Sequence, residues 1–132
     1  MFEAIDIAGS GINVDQTWID TIGGNVANAN DGVTPGQPVY QAQYVDAAAV
    51  PEANGPGLGV EVQSIELGPA QGQMDYEPTN PKADAQGEVA YPVVDLAQQM
   101  TGLIESQSSY QANASVMGKA TSAYESILQI KA

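Results

Sequence analysis

Asp75 and Glu77 flank Tyr76, and in an extended strand their two carboxylates share one face. Paired carboxylates are the equipment of glycoside hydrolysis, one acting as acid and the other as base or nucleophile. Adjacent exposed acids are usually just solvated, however, and nothing nearby supplies the rest of such a site, so no catalytic residue is assigned. The chain has no cysteine and no histidine. That removes disulfides, thiolate nucleophiles and zinc–thiolate sites, together with the commonest general base and metal ligand. A calcium loop ending at Gly32 would need oxygen ligands where Ala27 and Ala29 stand, and one ending at Gly87 would need one at Lys82. Gly55, Gly57 and Gly59 lack the following helix of a phosphate-binding loop. Asn113-Ala114-Ser115 matches a glycosylation sequon, but it falls in a helical pattern on a chain with no secretory signal. The sequence therefore points to no enzyme, no metal and no cofactor.

Charge narrows the partners. Sixteen acidic residues stand against three lysines (Lys82, Lys119, Lys131) and no arginine, for a formal net charge of -13 over 132 residues. Such a surface repels phosphate backbones and anionic headgroups, which excludes nucleic acid and speaks against an anionic membrane surface. The acidity fits a solvated surface, adaptation to salt, or a basic partner. No stretch approaches the ~18 apolar residues of a membrane helix, so direct membrane insertion is not expected. Glu3 and Asp6 lie where a cleavable secretory signal would carry positive charge. The expected location is cytoplasmic, or reached by an export route that cleaves no signal.

The longest regular pattern runs from Asp95 to Lys131, without proline. Leu96, Leu103, Tyr110, Met117 and Tyr124 recur every seven residues, with Met100, Ala114, Ala120, Ile127 and Leu128 on adjoining positions. This predicts one long helix with a coiled-coil-like stripe. Asp95 is the expected N-cap, with Gln98 at capping-box spacing and Pro92 blocking an earlier start. About 35 residues at ~1.5 Å rise make a rod of roughly 50 Å, against a radius of gyration near ~14 Å for a compact chain of this length. The helix must project, and its stripe needs a cover from this chain or from neighbours.

A second amphipathic helix is predicted over the first thirty residues. Ile5, Ile12, Ile19 and Val26 repeat at seven, with Ala8, Ile22 and Ala29 on the other seam positions. Asp15 reads as one interruption of the seam, and Gly9, Gly11, Gly23 and Gly24 as more serious ones, each costing about 1 kcal/mol relative to alanine. The helix reads as marginal alone, ordering when packed against other subunits, and Asn28, Asn30 and Asp31-Gly32 should end it. Asn25 and Asn28 read as caps. Asn113, inside the last helix and near its seam, reads as a register device.

Between the helices lie short alternating runs bounded by proline and glycine, the pattern of strands joined by turns. Val39 to Val45 is one expected strand, and Leu58 to Leu67 another, with a phase change suggesting a bulge near Ser64. Met74 with Tyr76, and Val89 with Tyr91, suggest two more. Ala47 to Gly59 reads as a mobile loop, and Glu77 to Gly87, with Pro78 and Pro81, as an extended one. The expected fold is α+β: an N-terminal helix in residues 1–31, a β-rich unit in 32–92 and a C-terminal helix in 93–132.

Several strings resemble one family, the axial proteins of the bacterial flagellum, and within it the C-type proximal rod group. They are Ile7-Ala8-Gly9-Ser10, Asn25-Val26-Ala27-Asn28, Tyr76-Glu77-Pro78 through Asn80-Pro81, Ala83-Asp84 and Gly87, Pro92 with Val94-Asp95, and Ser109-Tyr110-Gln111-Ala112-Asn113. The resemblance covers nearly the whole chain, and the string from Tyr76 to Asp95 is the part specific to the C type. The chain departs from the pattern at Val93, at Ser108 and in lacking arginine. The resemblance implies a structural subunit exported unfolded through the flagellar type III apparatus without a cleaved signal. It would assemble helically with copies of itself and other rod and basal-body proteins, into the shaft that carries motor torque across the cell envelope. The implied location is the basal-body rod, periplasmic or wall-spanning. The assembly interface then takes in Ile5, Ile12, Ile19, Ile22, Asn25, Val26 and Asn28 of the first helix, and Leu96, Met100, Leu103, Tyr110, Gln111, Asn113, Met117, Tyr124 and Leu128 of the last. Two other readings compete: another axial protein such as the B-type rod subunit, and a self-contained coiled-coil adaptor that dimerises through the same seams.

Overall fold

The computed structural model describes residues 2–52, 55 and 57–131. Met1 and Ala132, at the outer ends of the expected segments, lie outside the described residues, as do Ala53, Asn54 and Pro56 of the expected central loop. The elements run α1 (Phe2–Asn28), β1 (Gln43–Val50), β2 (Gly59–Leu67), β3 (Gln73–Tyr76), β4 (Glu88–Tyr91) and α2 (Leu96–Lys131). The fold is α+β, with β1–β2 and β3–β4 forming two separate antiparallel ribbons between the terminal helices.

α2 begins where its cap dictates. The Asp95 carboxylate accepts the backbone N–H of Gln98 at 3.1 Å, and the Asp95 carbonyl accepts that of Gln99 at 2.9 Å. α1 runs antiparallel to it: Asn25 meets Gln99, Asp15 meets Asn113, and Phe2 packs edge-to-face on Tyr124 with ring centroids 5.0 Å apart. At Gly11 the side chain of Asn113 fills the space a Cβ would take, the built Cβ standing 2.5 Å from Asn113 Nδ2. That glycine weakens the isolated helix, yet it makes room for the Asn113 amide against α1.

The central region departs from expectation at β1. Ala47 to Val50, expected to open a mobile loop, continue the strand, because Ala47 pairs with Val62 and Ala49 with Val60. Cross-strand pairing here overrides alanine's weak strand preference. Val39 to Ala42, expected as strand, instead precede it, with Val39 and Ala42 buried. The bulge falls beside the expected place: Asp46 pairs with Ser64 and Ala47 with Val62, leaving Gln63 as the extra residue. Beyond it Ile65 and Leu67 are exposed.

The 77–87 connection is not extended but a nest of turns. Asn80, Ala83 and Gly87 donate their N–H groups back to Glu77, Asn80 and Asp84, and the Asp84 carboxylate accepts the N–H of both Gln86 and Glu88. Lys82 Nζ reaches the Gly32 carbonyl at 2.6 Å and Asp31 at 3.3 Å, clasping the connection to the end of α1. A bridge between Val33 and Ala90 completes that junction, over the buried Val89 and Ala90.

Candidate assembly interface

The α1–α2 contact is built largely from small and polar groups. On α1 the buried residues are Ala8, Gly11, Val14, Asp15 and Asn25; on α2 they are Gln99 and Ser106. Asn25 is fully buried and does not cap α1 as expected. Its Nδ2 donates to the Gln43 carbonyl at 2.7 Å and to Gln99 Oε1 at 2.9 Å, while its Oδ1 accepts from Gln43 N at 2.8 Å and from Tyr40 Oη at 3.0 Å. All four hydrogen-bonding positions of the amide are used, so one side chain locks α1, β1 and α2 into register. Asn28 stays closer to its expected role, its Nδ2 donating to the Gly24 carbonyl at 2.8 Å near the helix end.

Asp15, read as a break in the seam, is buried to 2% exposure and accepts a 3.0 Å hydrogen bond from Asn113 Nδ2. The seam at this level is polar by construction, because burying a carboxylate requires a donor. Two further ties hold α1 to the first ribbon. Ser10 Oγ accepts from Val60 N at 3.0 Å, and Trp18 Nε1 donates to the Val45 carbonyl at 3.2 Å.

The large apolar side chains of α2 divide between two faces. Leu103, Met117 and Tyr124 are half-buried on the side of α1, whereas Leu96, Met100, Ile104, Tyr110, Ile127 and Leu128 are exposed. Ile130 is exposed to 85%. On α1, Ile5, Ile12, Ile19 and Ile22 are half-buried and Val26 is exposed; Gln111 is exposed on α2. The expected interface set is therefore split between the subunit's own helix contact and an open face.

A family model described as "Flagellar basal body rod FlgEFG protein C-terminal" matches residues 85–130. Along nearly the full chain, the flagellar basal-body rod protein FlgC of Borreliella burgdorferi is 30% identical, covering 98% of this chain and 97% of its own length. The chain belongs to the FlgC family of flagellar basal-body rod proteins. The FlgC proteins of Yersinia enterocolitica and Salmonella typhimurium are 36% and 37% identical, each over 89% of this chain and 87% of the relative.

Of the two carboxylates beside Tyr76, Glu77 is engaged in a structural tie. Glu77 Oε2 accepts from Tyr91 Oη at 2.9 Å and from Asn80 Nδ2 at 2.7 Å. Those bonds, Asn80 first and Tyr91 second, hold its pKa below the ordinary carboxylate value, which is the wrong direction for a proton-donating acid. The same bond to Glu77 raises the pKa of Tyr91. The trio ties the turns after β3 to β4. Among the described residues no group of acids could hold a metal ion, and no helix is long and apolar enough to cross a membrane. Sequence reasoning missed Trp18, Tyr40, Gln43 and Gln99. Gln99, Ser106 and Asn113 do recur at seven, but a search for apolar stripes passes over a polar one.

Proposed function

We propose that this chain is a structural subunit of the flagellar basal-body rod, packing through α1 and α2 against copies of itself and other rod and basal-body proteins. The observation that carries this is the division of α2: its inner face closes on α1 through hydrogen-bonded polar groups, while Leu96, Met100 and Ile104 stand exposed at helical spacing. Such a run requires a cover that the chain itself does not provide. Head-to-tail packing that does not close generates a helical filament, and torque passes along it through the stacked helices. The subunit carries out no catalysis, and it reaches the rod through the flagellar export apparatus without a cleaved signal, to lie periplasmic or wall-spanning.

The test is complementation of a strain of the source bacterium lacking its own copy, using Met100→Ser with Ile104→Ser. The purified variant should keep its thermal midpoint, since exposed substitutions change stability by only about 0.5 kcal/mol. Motility and basal-body rods should be lost. Retained motility overturns the interface, and a wild-type chain that forms a closed, soluble dimer favours the adaptor reading.

A further inference from the structure

Asp15 faces more than Asn113. Together with Ile7, Trp18, Ser109 and Asn113 it lines an open groove of about 650 Å³ between the helices and the β1–β2 end, with Glu52 on its rim. The carboxylate is more than nine-tenths buried, yet among the described residues it receives one hydrogen bond, from a neutral amide. The one ion pair among the described residues, Lys82 with Asp31, lies beyond the C-terminal end of α1, about four helical turns along the chain from Asp15. A carboxylate withdrawn from water and given only one neutral donor leaves acceptor capacity for a cation. Trp18 stands one helical turn from it, its ring fixed by the Nε1 bond to Val45. An indole beside a carboxylate is the pairing that takes a planar guanidinium, stacked on the ring and hydrogen-bonded to the oxygens.

We propose that this groove is a socket for an arginine side chain presented by a different rod subunit. The source must be a different protein, because this chain contains no arginine. Its net charge of -13 also favours a basic neighbour over a second copy at this groove. The inference rests on the rod-subunit reading for the partner's nature, while the socket itself is testable without it.

The experiment is an NMR titration of the full chain with N-acetyl-argininamide. It follows the Trp18 indole N–H, the only tryptophan signal, and the Asn113 side-chain amide; the citrulline counterpart serves as neutral isostere. Arginine should give saturable shifts in both signals and citrulline none. Asp15→Asn should weaken binding at least tenfold, and Glu52→Gln, an exposed position lining the groove, should weaken it less. No saturable response to arginine, an equal response to citrulline, or unchanged binding in both variants overturns the socket. Shifts that grow with protein concentration alone and vanish in Lys119→Gln would assign the groove to a second copy and overturn the heterologous partner. A chain that binds arginine but fails to restore rods would sink the rod reading and leave the socket standing.

Discussion

Asn25 and Asp15 are both buried polar residues of α1 that meet α2, and they are satisfied in opposite ways. Asn25 makes four hydrogen bonds to three segments, and nothing remains for an outside group. Asp15 makes one, and its remaining face borders a groove. The same helix pair thus contains a closed joint that fixes the subunit's own register and an open one that leaves chemistry for a neighbour. Polarity in a helix seam is not one phenomenon: saturation separates a fold determinant from a surface.

Truncation at the closed joint should be the most damaging change. Asn25→Ala strands Gln99, Tyr40 and both polar groups of the Gln43 backbone, and at ~1 to 3 kcal/mol for each unsatisfied buried group the loss should be about 3 kcal/mol or more. Asn113→Ala leaves Asp15 open to water from the groove and should cost roughly 1 kcal/mol. Urea unfolding of the two variants checks this, and equal losses would erase the distinction between the joints.

Next in size is the contact beside the open joint. Gly11→Ala places a methyl against the Asn113 amide and should destabilise by about 1 to 3 kcal/mol through overpacking. Gly9→Ala meets only the mobile end of Met117 at 3.4 Å, so gained helix propensity should leave it neutral or stabilised by up to ~1 kcal/mol. Opposite signs by thermal unfolding would sharpen the picture of one close crossing point. Like signs would break it.

The smallest effect belongs to the half-buried surface trio of Glu77, Asn80 and Tyr91, a partly solvent-screened counterpart to both joints. Glu77 titrates below its ordinary value, so its contribution is complete above the unfolded-state pKa and fades as pH falls through the depressed one. Tyr91 is shifted upward, so its share persists at neutral pH and fades as pH rises through its raised value. In Tyr91→Phe the Glu77 carboxyl midpoint, followed by NMR, should move up toward the ordinary range with little change in melting temperature.

What could be read from residues alone was set by periodicity and breakers. Both helices, the cap at Asp95 and the bulge beside Ser64 announce themselves within a few neighbouring residues. β1 did not, because Ala47 to Val50 owe their strand to partners across the ribbon. The expected interface set joins apolar seam positions to the polar Asn25, Asn28, Gln111 and Asn113, and of its apolar members Leu103, Met117 and Tyr124 turn toward α1. The polar chemistry of the contact runs through Asn25 and Asn113 of that set, to partners outside it, Gln99 and Asp15. From neighbouring residues alone Asp15 reads as a flaw and Asn25 as a cap, since a side chain's partners on distant segments leave no mark on its own neighbourhood.

The small bridge between Val33 and Ala90 has a kinetic consequence. Bringing α1 to α2 in an unstructured chain means closing a loop that spans residues 29–95. Once the β3–β4 hairpin has formed and Val33 has joined it, only residues 29–32 and 91–95 separate the helices from that fixed point. Closure entropy grows as (3/2)RT ln n, so this shortening removes about 2 kcal/mol from the cost of first helix contact. Folding from the unstructured chain is thereby given an order of events: a local hairpin first, then the helix pair zipped from the Asn25 end toward Phe2.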